Sequence, residues 1–324
     1  GGEQSCPRNG LGGLIARPAE PRTKAGAMAP AFEPHCPGIA RDGVRERGAV
    51  PCSVAAVRRG LSLPIFDELA DPATLAALAV RAEQRGWDGV FLWDHVIYRA
   101  PVTAATDPWI ALAAIAAATE RIELGPMVTP LARRRPWIVA RQAVALDQLS
   151  GGRFVLGVGL GRDSSGGELS RFGEQTDDRA RAAMLDEGLD VLTGLLSGES
   201  VDHRGDHYRV DGVRFLPPPT RPGGILIWLA ARWPNRRPIE RALRYDGLFL
   251  IDTDDIDTDD PASLGGIGER ATSLGRPFDL VIQGWPGETV AGWEATGATW
   301  WLARFDPFTV TVAAVEAAID AGPP

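Results

Sequence analysis

Eight short apolar runs recur along the chain, and the stretches between them are long enough to hold helices. The runs are residues 57–63, 89–93, 122–128, 154–158, 225–230, 247–251, 278–282 and 299–302. Eight strands that alternate with helices over about 265 residues are typical of a closed parallel barrel. The sequence therefore predicts an α/β fold of the (β/α)8 TIM barrel type, and a doubly wound open sheet is the alternative.

Proline marks the predicted helix starts. Asp71–Pro72 is the clearest case, because aspartate at the N-cap accepts hydrogen bonds from free amides and proline at the first helical position loses none. Gly86 ends this helix. The same pattern predicts helices after five further pairs, which are Asp107–Pro108, Arg135–Pro136, Arg237–Pro238, Asp260–Pro261 and Asp306–Pro307.

One interval, residues 162–222, is too long for a plain loop. It contains a predicted helix at about residues 179–196 and a hairpin-like piece at residues 207–210. Long insertions at the C-terminal face of a barrel often form lids or substrate walls. We therefore predict an insertion after the fourth strand.

The first 56 residues differ in composition from the rest of the chain. Nine glycines and seven prolines give 16 of 56 residues, near the level of roughly 25–30% that is typical of disordered segments. All three cysteines lie in this segment, so they cannot cross-link the core. We predict that residues 1–56 are a disordered or non-native extension and that residues 57–324 form the barrel domain.

The charge and the apolar pattern limit the kinds of partner. A net charge of −8 argues against nucleic acid or an anionic membrane as the main partner. No run of about 18 apolar residues is present, so no helix is predicted to span a bilayer. The sequence predicts a cytoplasmic protein that acts on a small molecule.

Residues 149–163 join a predicted helix end, a buried strand and a glycine-rich turn. Gly157, Gly159 and Gly161 occupy alternate positions at the end of the strand, where free backbone amides can bind phosphate. The spacing does not match the dinucleotide-binding fingerprint, because Arg162 stands where that pattern needs glycine. A tight strand-to-loop turn that binds no ligand is the alternative.

Asp94 and His95 directly follow the second predicted strand, which places them at the catalytic face of a barrel. Imidazole is the side chain that most readily exchanges a proton near neutral pH. The two residues are therefore catalytic candidates. A structural Asp–His pair that fixes the loop is an equal alternative.

Arginines follow two other strands. Arg133–Arg135 come after the third strand and suit an anion, although they could equally form a solvated corner that pairs with neighbouring acids. Arg232 and Trp233 follow the fifth strand at a predicted helix start, where the backbone favours phosphate. No side chain in the predicted barrel performs redox chemistry by itself and no metal site is favoured, which indicates an organic cofactor.

These motifs together resemble the bacterial luciferase-like monooxygenase superfamily, which comprises barrel oxidoreductases that use a flavin or a deazaflavin. The resemblance covers residues 57–322. Its motifs are Trp93–Asp94–His95, residues 124–130, Leu149–Arg153 leading into Gly157–Gly161, Phe172–Gly173, residues 185–189 and Asp246–Gly247. The combination of Leu-Ser-Gly-Gly-Arg with Gly-Val-Gly is the most specific of them.

The resemblance implies a cofactor, either coenzyme F420 or FMN, in the mouth of the barrel. Asp94 and His95 would lie near its ring as catalytic residues, with His95 as proton donor or anion stabiliser. A cis peptide is implied near Met127 and Val128. The cofactor-binding residues that the resemblance implies are Met127, Val128, Gly159, Leu160, Gly161, Arg162, Ala231, Arg232 and Trp233. The Trp93–Asp94–His95 signature and the arginine-rich mouth slightly favour F420, whose anionic tail would suit Arg133–Arg135.

The function that the resemblance implies is an oxidoreductase or monooxygenase that acts on a small organic substrate. A non-catalytic flavin-binding barrel is the alternative, and an isomerase-type anion-binding barrel is a weaker one. Sugar-phosphate dehydrogenases of the superfamily tend to have an acidic residue at the position of Arg162 and a tryptophan near Arg99. Both are arginine here, which weakens the expectation of that activity and leaves the substrate open. Family members often pair, so a homodimer is one arrangement that the resemblance implies.

Overall fold

The structure is a computed structural model and describes residues 57–251, 266–290 and 292–324. The predicted extension at residues 1–56 and the helix start at Asp260–Pro261 lie outside these ranges.

Parallel strands form a nearly closed barrel, and helices surround it. In chain order the elements are β1 (Arg58–Leu63), α1 (Pro72–Gln84), β2 (Gly89–Leu92), α2 (Pro108–Ala118), β3 (Glu123–Pro126), β4 (Thr129–Pro130), α3 (Pro136–Leu149), β5 (Val155–Gly159), α4 (Asp178–Leu196), β6 (Ser200–Arg204), β7 (Arg209–Arg214), β8 (Leu226–Arg232), α5 (Arg236–Ala242), β9 (Gly247–Ile251), α6 (Ile267–Ser273), β10 (Asp279–Gly284), β11 (Trp300–Arg304) and α7 (Val312–Ala321). The sheet order is β3-β2-β1-β11-β10-β9-β8-β5-β4.

The strands β3 and β4 are two parts of one barrel strand, so the nine strands of the sheet correspond to eight barrel positions. Residues Met127 and Val128 separate the two parts. The β4 part pairs with β5, and a bridge between Leu124 and Phe154 links β3 to the start of β5. The predicted eight-stranded barrel is therefore confirmed, and the open-sheet alternative is wrong.

The interrupted strand lies unusually close to β5. A Cβ atom at Gly125 would collide with the carbonyl oxygen of Val155, and one at Gly157 would collide with the carbonyl oxygen of Pro126. Backbone atoms cannot move aside as a flexible side chain can. Glycine at these two positions is what lets the strands approach each other.

Aromatic side chains fill the centre of the barrel. Phe91, Trp228 and Trp300 are fully buried, and their ring centroids lie 5.3–5.6 Å apart. Rings at these separations and tilts attract one another through their quadrupoles as well as by excluding water. The centre of the barrel is thus a packed core, and a ligand would bind above it at the carboxyl ends of the strands.

Two of the proline-marked helix starts show the predicted cap. The Asp71 carboxylate accepts the amides of Ala73 and Thr74 at the start of α1, and the Asp107 carboxylate accepts the amide of Ile110 at the start of α2. The start predicted after Arg135 is also confirmed, although Arg135 makes no side-chain cap.

The helix start predicted at Asp306–Pro307 is wrong. The helix α7 begins at Val312, and the hydroxyl of Thr311 caps it by accepting the Ala314 amide. The Asp306 carboxylate instead accepts the Phe308 amide two residues later, so the local hydrogen bond makes a turn rather than a helix.

The insertion after the fourth barrel strand consists of α4 and the antiparallel hairpin β6–β7. Glu187 of α4 joins the two parts, because its carboxylate lies 3.0 Å from Nε2 of His203 and accepts the amides of His207 and Tyr208. The predicted insertion, with its helix and its hairpin, is confirmed. In the described ranges no helix combines the length and the apolar character that crossing a membrane requires.

We expect Gly125→Ala to lower the free energy of unfolding by about 3 kcal/mol or more, because the added methyl group would meet backbone that cannot retreat. Urea denaturation followed by circular dichroism measures the change. The control is Gly188→Ala in α4, where the methyl group would meet mainly the side chains of Leu131 and Pro136. Equal stability of the two variants would contradict this account of the strand contact.

Candidate active site at the strand ends

Asp94 lies at the carboxyl end of β2 and is almost completely buried. Its carboxylate accepts four hydrogen bonds, from the Trp109 indole (3.0 Å), the Thr129 hydroxyl (2.8 Å), the Arg133 guanidinium (2.9 Å) and the Arg134 guanidinium (3.0 Å). These donors occupy the lone pairs that a carboxylate offers. The Asp94 carboxylate is therefore fully engaged with neighbouring side chains, and His95 is not among them.

His95 is held by a glutamate that the sequence reasoning missed. Its Nδ1 atom lies 3.1 Å from Oε1 of Glu168, which is fully buried. The other oxygen of Glu168 accepts the Val96 amide and a guanidinium hydrogen of Arg133. An ionised carboxylate only accepts hydrogen bonds, so Nδ1 of His95 carries the proton and Nε2 is the ring nitrogen left for a ligand.

The surroundings of Glu168 keep it ionised. Burial acts to raise the pKa of this carboxyl, but the hydrogen bond with His95, the positive charges of His95 and Arg133, and the Val96 amide outweigh burial and hold the pKa below its ordinary value. The ionised carboxylate holds the His95 ring through a charge-assisted hydrogen bond at Nδ1.

Arg133 and Arg134 are committed to these acids. The side chain of Arg133 is only 6% exposed and bridges Asp94 and Glu168, and Arg134 also pairs with Asp94. Of the two alternatives for this cluster, pairing with neighbouring acids is the one that the structure shows for these two arginines. The guanidinium carbon of Arg135 lies 5.9 Å from the centroid of the Trp137 ring.

Aromatic rings surround the imidazole of His95. The ring centroids of Phe66, Trp93 and Tyr98 lie 5.8, 6.1 and 5.0 Å from that of His95. Burial raises the pKa of Tyr98, against the opposing charges of Arg99 and Arg162, so its phenol is neutral near pH 7. Packing on several sides, together with the bond to Glu168, fixes the orientation of the imidazole ring.

The peptide bond between Met127 and Val128 is cis, which confirms the cis peptide that the resemblance implies. Met127 packs into the aromatic centre of the barrel, and Val128 lies partly buried beside it. A Cβ atom at Gly159 would lie 2.5 Å from Cγ2 of Val128. The missing side chain at Gly159 therefore makes room for Val128 at the rim.

Arg181 of α4 orients the loop that follows β5. Its guanidinium donates to the carbonyl oxygens of Leu160 (2.8 Å) and Gly161 (3.0 Å). In a trans peptide the N–H points opposite to the carbonyl, so the amides of Gly161 and Arg162 point away from Arg181. In the described part of the chain we find no acceptor for these two amides. Adjacent unpaired amides of this kind suit the oxygens of a phosphate group.

The end of β8 contributes one charged group to the rim. Arg232 is half-buried, and its pKa is lowered by burial and by the positive charge of Arg162, so the two cations lie near each other. The side chains of Ala231 and Trp233 pack instead into the core between the sheet and the helices. The sequence predicts three residues at this strand end, which is the end of β8 in the structure. Two of them pack into the core, and Arg232 is the one that the charge of Arg162 affects.

Residues 54–256 match the family model described as luciferase-like monooxygenase. The chain therefore belongs to this family, as its motifs predict.

Curated relatives carry a more particular name. The chain is similar to an F420-dependent glucose-6-phosphate dehydrogenase of Nakamurella multipartita, with 35% identity over 167 residues that cover 50% of this chain and 48% of the relative. It is also similar to the protein of the same name from Nocardia farcinica, with 31% identity over 218 residues that cover 65% of this chain and 62% of the relative. The chain thus spans about half to three fifths of the length of these relatives.

Solved structures share the fold. A coenzyme F420-dependent tetrahydromethanopterin reductase of Methanopyrus kandleri has 17% identity and a TM-score of 0.63, covering 82% of this chain and 98% of its own. The monooxygenase RslO1 of Streptomyces bottropensis has 18% identity and a TM-score of 0.66, covering 82% and 97%. At these identities the likeness shows the fold alone.

We expect the stability of the protein at acidic pH to depend on Glu168. Because its pKa in the folded state lies below that in the unfolded state, the ionised group stabilises the fold above about pH 4.3, and this contribution is lost as the pH falls through the folded-state value. The free energy of unfolding of the wild type should fall more steeply than that of Glu168→Gln between about pH 5 and pH 3.

Chemical denaturation at a series of pH values measures both slopes. The control is Glu174→Gln, which removes an exposed carboxylate of the same inserted segment and should follow the wild type. Parallel curves for the wild type and Glu168→Gln would show that the buried network does not favour the ionised carboxylate.

Proposed function

We propose that the protein is an oxidoreductase that binds coenzyme F420 or FMN at the carboxyl end of the barrel and acts on a small organic substrate. The observation that carries this proposal is the His95–Glu168 pair, which presents one imidazole nitrogen at the strand ends with its opposite nitrogen fixed. Membership of the luciferase-like family supports the same conclusion.

The residues at the rim fit a phosphorylated tricyclic cofactor. The unpaired amides of Gly161 and Arg162 would bind phosphate oxygens, and Arg232 adds a positive charge nearby. Met127 and Val128, with Gly159 opposite, would support the ring from the side of the barrel centre. When bound, the cofactor supplies the atom that accepts or donates hydride.

His95 would handle the proton that accompanies the transfer. Its Nε2 atom can donate a proton to a developing anion or accept one from a substrate hydroxyl group. Glu168 holds the imidazole at Nδ1, and Arg133 keeps Glu168 in place because its guanidinium binds both Glu168 and Asp94. Glu168 and Asp94 are positioning residues in this scheme, and His95 is the catalytic one.

The choice between cofactors now rests on the relatives. Pairing of Arg133 and Arg134 with acids removes the anion-site argument for F420. The curated relatives are named as F420-dependent, whereas one structural neighbour is a Baeyer–Villiger monooxygenase component in complex with FMN. We therefore propose F420 as the leading cofactor and FMN as the second.

Titration of the protein with F420 and with FMN, followed by cofactor fluorescence, should show micromolar binding of one of them. We expect His95→Ala to keep the cofactor dissociation constant within about threefold and to lower turnover about 10²- to 10⁴-fold, because only proton transfer is lost. Turnover is measured as oxidation or reduction of the bound cofactor with a panel of alcohols, sugar phosphates and organic acids.

Phe172→Ala is a suitable control, because this apolar side chain is 56% exposed. Binding of neither cofactor would overturn the proposal. Binding without turnover on any substrate would favour the non-catalytic flavin-binding alternative.

We also propose that the protein is a cytoplasmic homodimer. The helix α2 carries no charged residue, and Ile110 on it is 63% exposed, while Ile138 on the adjacent α3 is 50% exposed. Neighbouring exposed apolar groups on a soluble domain commonly mark an interface. An uncharged surface can face a second copy of itself without repulsion, which supports a symmetric pair.

We expect Ile110→Glu to convert dimers into monomers, because two carboxylates would be brought together in a desolvated contact. Light scattering coupled to size-exclusion chromatography measures the molar mass. The control is Phe172→Glu, which places the same charge on an equally exposed apolar residue outside α2 and α3. A wild-type protein that is monomeric at micromolar concentration would contradict the proposed dimer. Cell fractionation tests the proposed cytoplasmic location.

A further inference from the structure

Arg99 and Arg162 come from two different loops that meet at the mouth of the barrel. Arg99 lies after β2, and Arg162 follows β5. The two loops touch, because a Cβ atom at Gly166 would lie only 2.8 Å from the carbonyl carbon of Tyr98 and 3.0 Å from the Arg99 nitrogen. Both guanidinium charges act on the Tyr98 phenol, whose ring centroid lies 5.0 Å from that of His95.

Other partly buried arginines of this region are paired with acids. Arg133 and Arg134 bind Asp94, and Arg181 binds Asp178. Over the described ranges, in contrast, the guanidinium groups of Arg99 and Arg162 make no hydrogen bond and no ion pair with the protein. These two cations are therefore available to a ligand.

An acid whose charge reaches Tyr98, Asp306, is already engaged. The Asp306 carboxylate accepts the Phe308 amide at 2.9 Å, and its charge also acts on Tyr98. The guanidinium carbon of Arg99 lies 5.0 Å from the centroid of the Phe308 ring, which holds its stem against an apolar surface. The mouth thus combines a cation with two aromatic rings, those of Tyr98 and Phe308.

The positive charges of this region also act on one another. The charge of Arg162 disfavours a second charge at Arg232, which is half-buried. The guanidinium group of Arg162 has no acid partner in the described ranges, so a negatively charged group beside it would be favoured.

We infer that Arg99 and Arg162 bind the oxyanion of the substrate, a carboxylate or a phosphate, and that the substrate is a small organic anion whose apolar part lies against Tyr98 and Phe308. Planar guanidinium groups suit either oxyanion because they donate two parallel hydrogen bonds. This inference rests on the proposed function. The cofactor carries an oxyanion as well, and in this arrangement its phosphate is held by the amides of Gly161 and Arg162 and by the side chain of Arg232.

The test uses the full-length protein saturated with whichever of F420 and FMN it binds, and two probes, benzoate and inorganic phosphate, titrated by calorimetry. We expect at least one probe to bind the wild type in the millimolar range. Arg99→Gln and Arg162→Gln should each weaken that binding about tenfold, which is the usual effect of removing one charge-assisted contact. The cofactor dissociation constant should change by less than about threefold in Arg99→Gln, which leaves the groups assigned to the cofactor phosphate untouched.

Arg209→Gln is the matched control, because this arginine is 66% exposed on the hairpin β6–β7, and it should bind both probes as the wild type does. Arg162→Lys keeps the charge without the planar fork and should recover part of the lost affinity. Melting temperatures of all variants establish that each is folded.

Three results would overturn the inference. The wild type could bind neither probe, the two glutamine variants could bind the probes as tightly as the wild type, or they could lose cofactor affinity and keep probe affinity. The last result would assign these arginines to the cofactor phosphate. If the proposed function is wrong, the wild type binds neither F420 nor FMN. Titration of the cofactor-free protein with the two probes then still measures whether the two arginines bind an anion.

Discussion

The site depends on one buried guanidinium group. Arg133 donates to Asp94 behind β2 and to Glu168 in the inserted segment, so a single side chain connects the ends of three separate pieces of chain. A buried charge is tolerated only when its partners are close and well oriented, and both carboxylates meet that condition. The imidazole of His95 is attached to this network through Glu168. The position of the proposed catalytic nitrogen therefore follows from a structural ion pair.

Backbone contact plays the corresponding part on the other side of the mouth. Absence of side chains at Gly125 and Gly157 allows the interrupted strand β3–β4 to lie against β5, and absence of one at Gly159 leaves space for Val128. Arg181 then binds the carbonyl oxygens of Leu160 and Gly161 in the loop after β5, so the amides of Gly161 and Arg162 point away from Arg181. The main role of the glycines at alternate positions in β5 is therefore to allow close packing against the interrupted strand. The amide arrangement at the rim is a consequence of that packing together with Arg181.

Membership of the luciferase-like family is consistent with both halves of this site. The relatives with 31–35% identity are named as F420-dependent glucose-6-phosphate dehydrogenases. Arg99 and Arg162 depart from the pattern expected of such enzymes, and the structure leaves both without an acid partner in the described part of the chain. A shared barrel can support different substrates in this way, because specificity resides in loop side chains that the fold does not constrain.

Sequence by itself determined the eight strands and three of the helix starts, and it singled out Asp94, His95 and the glycine-rich turn as candidates, because periodicity, capping and glycine placement are local properties. It failed at Asp306–Pro307, where a local turn replaced the expected helix cap. Only the tertiary structure decided that Glu168, 73 residues away in the chain, holds His95. It also decided that Arg181 orients the loop after β5 and that Arg133 and Arg134 form ion pairs with acidic side chains. Such pairings depend on which loops the closed barrel brings together. Local residue patterns do not show which distant residues become neighbours in space.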